Sequence, residues 1–219
     1  EILIGLVGSE MCIRDSYIVG LDKWLGGELD DAAKTYLKDF GAATASNGAV
    51  GLYHVENITP EAVKYGKDLI AEDAKVYVVD DAELQRVYES YPVIWKKKDA
   101  KPKLCFMGCP HMSLQQLIDW TEKVSQSLKE AGRARVCIPT VFTAAPAVLK
   151  KFQETPYAET LKATGVITSY ICPLMYMNNP LSEKMPVITS SNKLRTYTSA
   201  RYYTDAEILE QITKGGADR

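Results

Sequence analysis

Short apolar runs alternate along this chain with segments whose apolar residues recur every three to four positions. Leu29, Ala32, Ala33, Tyr36, Leu37 and Phe40 fall at helical spacing, and Gly41 after them predicts a C-terminal cap. The run Ala49–Val55 predicts a buried strand. Thr59-Pro60-Glu61-Ala62 then offers an N-cap, a proline at the first helical position and an acid in the first turn. Val76–Val79 predicts another strand, and Asp80 with Asp81 opens a helix through Val87. Lys96–Lys103 is a charged connector, and it divides the chain into a partial α/β domain over 17–100 and a second over 101–219. In the second domain Leu104–Met107 predicts a strand leading to Gly108-Cys109-Pro110-His111. Ser113 caps an amphipathic helix from Leu114 to Ala131, closed by Gly132. Strands are predicted over Arg135–Pro139, Gly165–Tyr170 and Pro186–Thr189, a helix over Ala144–Gln153, a short helix or turn after Ser190, and a last helix capped by Asp205. The alternation predicts an α/β fold of layered, mostly parallel sheets flanked by helices.

Composition narrows the function classes. Apolar residues make up 46% of the 219 and charged residues 25%, the balance of an ordinary globular protein. With 26 basic and 28 acidic residues the net charge is −2, which leaves no broad electrostatic footprint for nucleic acid or a membrane surface. No run is long and apolar enough to span a bilayer. Five scattered cysteines are an odd number and do not form a secreted disulfide framework. They point to a reducing, cytoplasmic setting.

The first sixteen residues change that arithmetic. Leu6–Ser16 reads like the in-frame translation of a transposon-type sequencing adapter, and residues 1–16 are set aside as such a scar. What remains has 25 basic residues, 25 acidic residues and four cysteines: Cys105, Cys109, Cys137 and Cys172. On this reading a natural N-terminal part is missing.

The unusual residues gather at predicted strand ends, where open parallel sheets bind ligands. Two of the four cysteines precede proline, at Cys109-Pro110 and Cys172-Pro173, among only ten prolines in the chain. Cys-Pro recurs at iron–sulfur ligands, where proline fixes the turn that presents the thiolate. It also serves simply to end a buried strand, with cysteine as a small apolar residue. Cys105, Cys109 and His111 lack the spacing of a structural zinc site. A thiolate nucleophile at Cys109 is a further alternative, although His111 is closer in sequence than catalytic partners usually are. Cys105 and Cys137 lie in apolar runs and read as core, as does His54 taken alone. Ser190-Ser191-Asn192-Lys193 offers hydroxyls, helix-start amides and an ammonium suited to a carboxylate or phosphate, or an ordinary cap with a solvated lysine.

Together these segments resemble a known family. Gly41–Val50 followed by Leu52–Ala62 resembles the "alassGaV…HvxGvTPEA" stretch of the aconitase X large subunit. Gly108–Leu117 is similar to its "GCPHxSxxEL", Cys172 falls where its later cysteine occurs, and Thr189–Lys193 with Tyr197 resembles its "TNSxKxxxY". The motifs stand in family order over most of the chain from Gly41 onward. The resemblance implies an aconitase-like fold and an iron–sulfur hydro-lyase acting on a small hydroxy acid, such as 3-hydroxyproline or mevalonate 5-phosphate. It implies a cluster held by three cysteines, Cys109 and Cys172 matching two, with the third expected in the missing N-terminal part. His54 and His111 would face substrate and cluster, and Ser190, Ser191 and Lys193 would hold the substrate's anionic group. The base that removes the proton is expected on the family's small subunit or on a fused swivelling domain, so that this fragment alone is inactive. Asn57, Ser190 and Gln116 depart from the family's Gly, Asn and Glu. A non-catalytic iron–sulfur or ligand-binding module of the same fold is the alternative.

Overall fold

A computed structural model describes residues 2–7, 15–177, 179–180 and 182–215. Residues 1 and 8–14, half of the adapter-like stretch including Cys12, lie outside the described residues. The chain forms two units that divide between Tyr91 and Pro92, upstream of the lysine-rich connector. Trp95 explains the position of the division: it is buried in the core of the second unit, where its indole N–H donates to the Ser199 carbonyl at 2.9 Å.

The first unit contains β1 (Ile2–Val7), β2 (Asp15–Val19), α1 (Asp31–Gly48), β3 (Leu52–Val55), α2 (Pro60–Tyr65), a 3₁₀ turn over Gly66–Leu69, β4 (Lys75–Val79) and α3 (Asp81–Glu89). Its sheet runs in the order β3-β2-β1-β4; β2 and β3 are parallel, and β1 is antiparallel to both its neighbours. Asp30 caps α1 by accepting the Ala33 amide at 2.7 Å, and the helix runs past Gly41 to end at Ala49 in the left-handed conformation. Gly41 is therefore not a cap. It lies inside the helix because the ring of Tyr53 crosses there, and a Cβ would stand 3.3 Å from the ring carbon. The Tyr53 hydroxyl donates to the Leu37 carbonyl at 2.8 Å, fixing β3 to the helix. Ile18, Leu21, Leu37, Val55 and Ile58 form the core of this unit.

The second unit contains β5 (Leu104–Met112), α4 (Leu114–Glu130), β6 (Thr140–Ala144), α5 (Pro146–Gln153), α6 (Pro156–Ala163), β7 (Ile167–Ser169), α7 (Pro173–Met177), β8 (Val187–Thr189), α8 (Asn192–Tyr197), β9 (Arg201–Tyr202) and α9 (Asp205–Lys214). Its sheet is parallel throughout, in the order β7-β6-β5-β8-β9. Side chains alternate between the faces of a strand, so β5 serves both. Cys105 and Met107 enter one core with Leu117, Phe142 and Ile208, while Phe106 enters another with Met177, Val187 and Leu194. Ser113 and Gln116 make a reciprocal capping box at the start of α4.

Two expectations shift. Arg135–Pro139 forms no strand; the strand is Thr140–Ala144. Pro139 has no N–H to give a ladder, while the Val136 and Cys137 amides donate to Thr164 and Ile212 carbonyls outside the sheet. The last helix is capped by Thr204 with Glu207, one residue earlier than expected.

Candidate functional site

In the second sheet the chain builds outward from β5 through β6 and β7, then returns past β5 to add β8 and β9. The strand order therefore reverses between β5 and β8. The crevice outside the carboxyl ends at such a reversal is where open α/β sheets bind ligands.

The end of β5 is irregular. Met107 pairs with Phe142 and Met112 with Ala144, so Gly108, Cys109, Pro110 and His111 bulge out opposite the single residue Thr143. Gly108 has φ of +100°, and a Cβ there would stand 2.3 Å from the Thr143 carbonyl oxygen, so the bend requires glycine. The Cys109-Pro110 peptide is cis. Thr143, fully buried, donates from its hydroxyl to the Gly108 carbonyl at 2.7 Å, with the Met107 carbonyl at 3.2 Å. On the other flank, Ser191 caps α8 by accepting the Leu194 amide at 3.0 Å. Its hydroxyl donates to the Cys109 carbonyl oxygen. Ser190 Oγ lies 3.6 Å from the Met107 sulfur.

The Cys109 thiol is buried, with 7% of the residue exposed. Burial raises its pKa, a hydrogen bond from Ser191 opposes that, the Cys172 thiol raises it further, and the Lys193 ammonium lowers it. Those influences require Cys172, Ser191 and Lys193 to share one neighbourhood with Cys109. A thiol raised by burial is a poor free nucleophile, which weighs against that alternative. Cys105 sits on the opposite face of β5, fully buried with its thiol pushed up by desolvation, and it cannot join Cys109. Cys137 is half-buried outside any strand, and its sulfur donates to the Thr213 carbonyl at 3.4 Å.

Of the seven expected site residues, Cys109, His111, Cys172, Ser190, Ser191 and Lys193 therefore lie at the carboxyl ends of β5, β7 and β8. His54 belongs to the first unit, on β3 opposite Tyr17, with 7% exposed and no hydrogen bond to its Nδ1. Asn57 replaces the family's glycine at φ of +62°, a conformation asparagine tolerates, and its amide donates to Asp22 at 2.8 Å. Thr143 escaped the sequence reading because it falls between the strand expected over Arg135–Pro139 and the helix expected from Ala144, where the structure has a strand. Among the described residues no group of three or more His, Cys, Asp or Glu is placed to hold a metal ion.

Residues 3–89 match the family model of the aconitase X second domain. The crystal structure of aconitase X from Thermococcus kodakaraensis in its holo-form superposes with a TM-score of 0.64 at 25% identity, over 82% of this chain and 44% of that one. Both comparisons liken the chain to aconitase X. Proteins named phosphomevalonate dehydratase large subunit are also similar to it: that of Methanosarcina mazei is 29% identical over 192 residues, covering 85% of this chain and 43% of the relative. That of Thermococcus kodakarensis is 31% identical over 127 residues, covering 58% of this chain and 30% of the relative. The chain thus spans less than half the length of these relatives. Among its described residues no helix is long and apolar enough to cross a membrane.

Proposed function

We propose that this chain is the part of an aconitase X large subunit that supplies two cluster thiolates and the anion site of an iron–sulfur hydro-lyase. Its substrate would be a small hydroxy acid carrying a carboxylate or phosphate, such as 3-hydroxyproline or mevalonate 5-phosphate. The names of the relatives favour the second. The packing of Cys109 in one core with Met177 of the helix that follows Cys172 and Leu194 of the helix that carries Lys193 is the observation that supports this reading most.

Paired thiols are the donors that iron–sulfur clusters use, and Cys109 and Cys172 fit two of the three positions. The third would come from outside the described residues. When bound, such a cluster supplies a Lewis acid to the departing hydroxyl. Lys193 would neutralise the carboxylate or phosphate, with the Ser190 hydroxyl beside it. His111, on the same bulge as Cys109, would hold a proton at its imidazole for the hydroxyl that leaves as water. For His54, in the first unit, a role toward substrate rests on the family resemblance alone. The proton taken from carbon would pass to a base on a small subunit or swivelling domain, a partner that fits the relatives' description as large subunits.

Anaerobic reconstitution with iron and sulfide, of a full-length large subunit carrying this sequence together with its small subunit, tests the proposal. The expected result is a cluster absorption that disappears in Cys109→Ser and Cys172→Ser, with elimination of water from mevalonate 5-phosphate or another hydroxy acid. A cluster that survives both substitutions overturns it. A stable cluster without any dehydration identifies the non-catalytic module instead, and metal-independent activity blocked by alkylation identifies a thiol transferase.

A further inference from the structure

β5 lies between β6 and β8, and at its carboxyl end each neighbour sends one hydroxyl to it. From β6, Thr143 Oγ1 donates to the Gly108 carbonyl at 2.7 Å. From the turn after β8, Ser191 Oγ donates to the Cys109 carbonyl. The two acceptors are consecutive carbonyls of the bulge, where the β5–β6 register breaks. A buried carbonyl without a donor is costly, and here two side-chain hydroxyls supply donors.

We infer that Thr143 and Ser191 form a two-sided hydroxyl clamp that fixes the Gly108–Cys109 backbone and thereby sets where the Cys109 sulfur points. Both are positioning residues. The geometry leaves each little freedom. Thr143 is fully buried opposite the bulge, and its own carbonyl and hydroxyl would stand 2.3 Å and 2.6 Å from a Cβ at Gly108, so the bulge is seated against it. Ser191 is held by a third contact, its oxygen accepting the Leu194 amide at 3.0 Å, which ties the clamp to the first turn of α8. The same contacts revise the role expected of Ser191. A hydroxyl has one proton, and here it is directed to Cys109, so Ser191 serves the bulge before a substrate anion. Lys193 and Ser190 are left as the donors toward a carboxylate or phosphate.

The inference rests on Cys109 being the functional thiol of the proposed site, but its test reads the thiol itself and can fail while the cluster proposal stands. The purified chain, reduced and treated with a chelator, is alkylated under native conditions, and Cys109 is quantified by peptide mass spectrometry. A buried thiol reacts through local opening, so the parent is expected to react slowly. Thr143→Val keeps the shape and removes the donor, and it should speed Cys109 alkylation roughly fivefold, the shift expected for one lost hydrogen bond in the opening equilibrium. Ser191→Ala should do the same, and Thr143→Ser, which restores the hydroxyl, should return the rate to that of the parent. Cys137, remote from the bulge, serves as the internal reference for folding and should not change in any variant. Rates at Cys109 within about twofold of the parent in both Thr143→Val and Ser191→Ala, with Cys137 unchanged, overturn the clamp. So does a Thr143→Ser variant as fast as Thr143→Val, because packing rather than the donor would then hold the bulge.

Discussion

β4 and β5 carry the same signature, a short unbroken apolar run, and meet opposite fates. In β5, Cys105, Phe106 and Met107 are all buried. Consecutive strand residues point to opposite faces, so both faces of this strand are covered, one by α4 and the helices beside it, the other by α7 and α8. In β4, Val76 is 69% exposed and Val78 43%, with Tyr77 between them also exposed. An apolar run thus records which residues prefer a strand, not whether another layer covers it. Covering β5 on both faces is what makes a rigid platform for the bulge that carries Cys109. β4 is an edge strand with nothing comparable to support.

Truncating one side chain in each region should expose the contrast most sharply. Phe142, on β6 beside Met107 of β5, is fully buried and meets the Trp120 ring edge-on at 5.8 Å between centroids. Phe142→Ala is expected to cost about 3–5 kcal/mol, whereas Val78→Ala on the exposed strand should stay within about 0.5 kcal/mol. Native-state hydrogen exchange of the β5 and β4 amides checks both within their own units. Comparable losses in the two strands would break the comparison.

A smaller effect separates local preference from packing inside the first unit. In an exposed helix, replacing an interior glycine by alanine gains about 1 kcal/mol. At Gly41 the added methyl would meet the Tyr53 ring at 3.3 Å and its hydroxyl oxygen at 3.4 Å, while that ring packs edge-on against Phe40 and is hydrogen-bonded to Leu37. Gly41→Ala is therefore expected to lose stability, by up to about 1 kcal/mol, in urea unfolding of the first unit. A clear gain would mean that the ring yields freely.

Gly41 also illustrates what the sequence could reveal. Caps and helix starts were legible wherever a side chain acts on its own backbone, as Asp80 does for α3 and Ser113 for α4. The parallel sheet was legible because strands and helices alternate. Gly41 and Pro139 were misleading because their roles are set by distant partners: a tyrosine twelve residues on, and backbone acceptors in other elements. The site followed the same rule. The Cys-Pro pairs and the Ser-Ser-Asn-Lys stretch advertised their chemistry locally, so the six residues at the β5, β7 and β8 ends could be named. Thr143 could not, since its importance arises only when a register break leaves it facing four residues of β5. Ser191 was named for an anion, and the partner it has in the structure, the Cys109 carbonyl, carries no sequence signal.

The smallest expected effect concerns what ties β4 down in place of apolar cover. The Tyr77 hydroxyl donates to Glu83 on α3, and Arg86 donates to the same carboxylate, Nε at 2.6 Å from Oε2. The hydrogen bond from Arg86, then that from Tyr77, holds the Glu83 carboxyl down from the ordinary 4.5 to about 2. A carboxyl lowered on folding stabilises above its unfolded value and loses that contribution as pH falls through its folded one. The link between β4 and α3 should therefore be intact at neutral pH, weaken as pH drops below about 4.5, and be gone near about 2, while α4 shows no such step from this source. Because the Arg86 side of the pair lies open to solvent, the effect should be modest and shrink with added salt. Exchange rates of the α3 amides, referred to the intrinsic rate at each pH, follow the loss, and Glu83→Gln should flatten the curve. A step that persists in Glu83→Gln, or is indifferent to salt, would place the support of β4 in packing after all and bring the two strands closer together than their exposure implies.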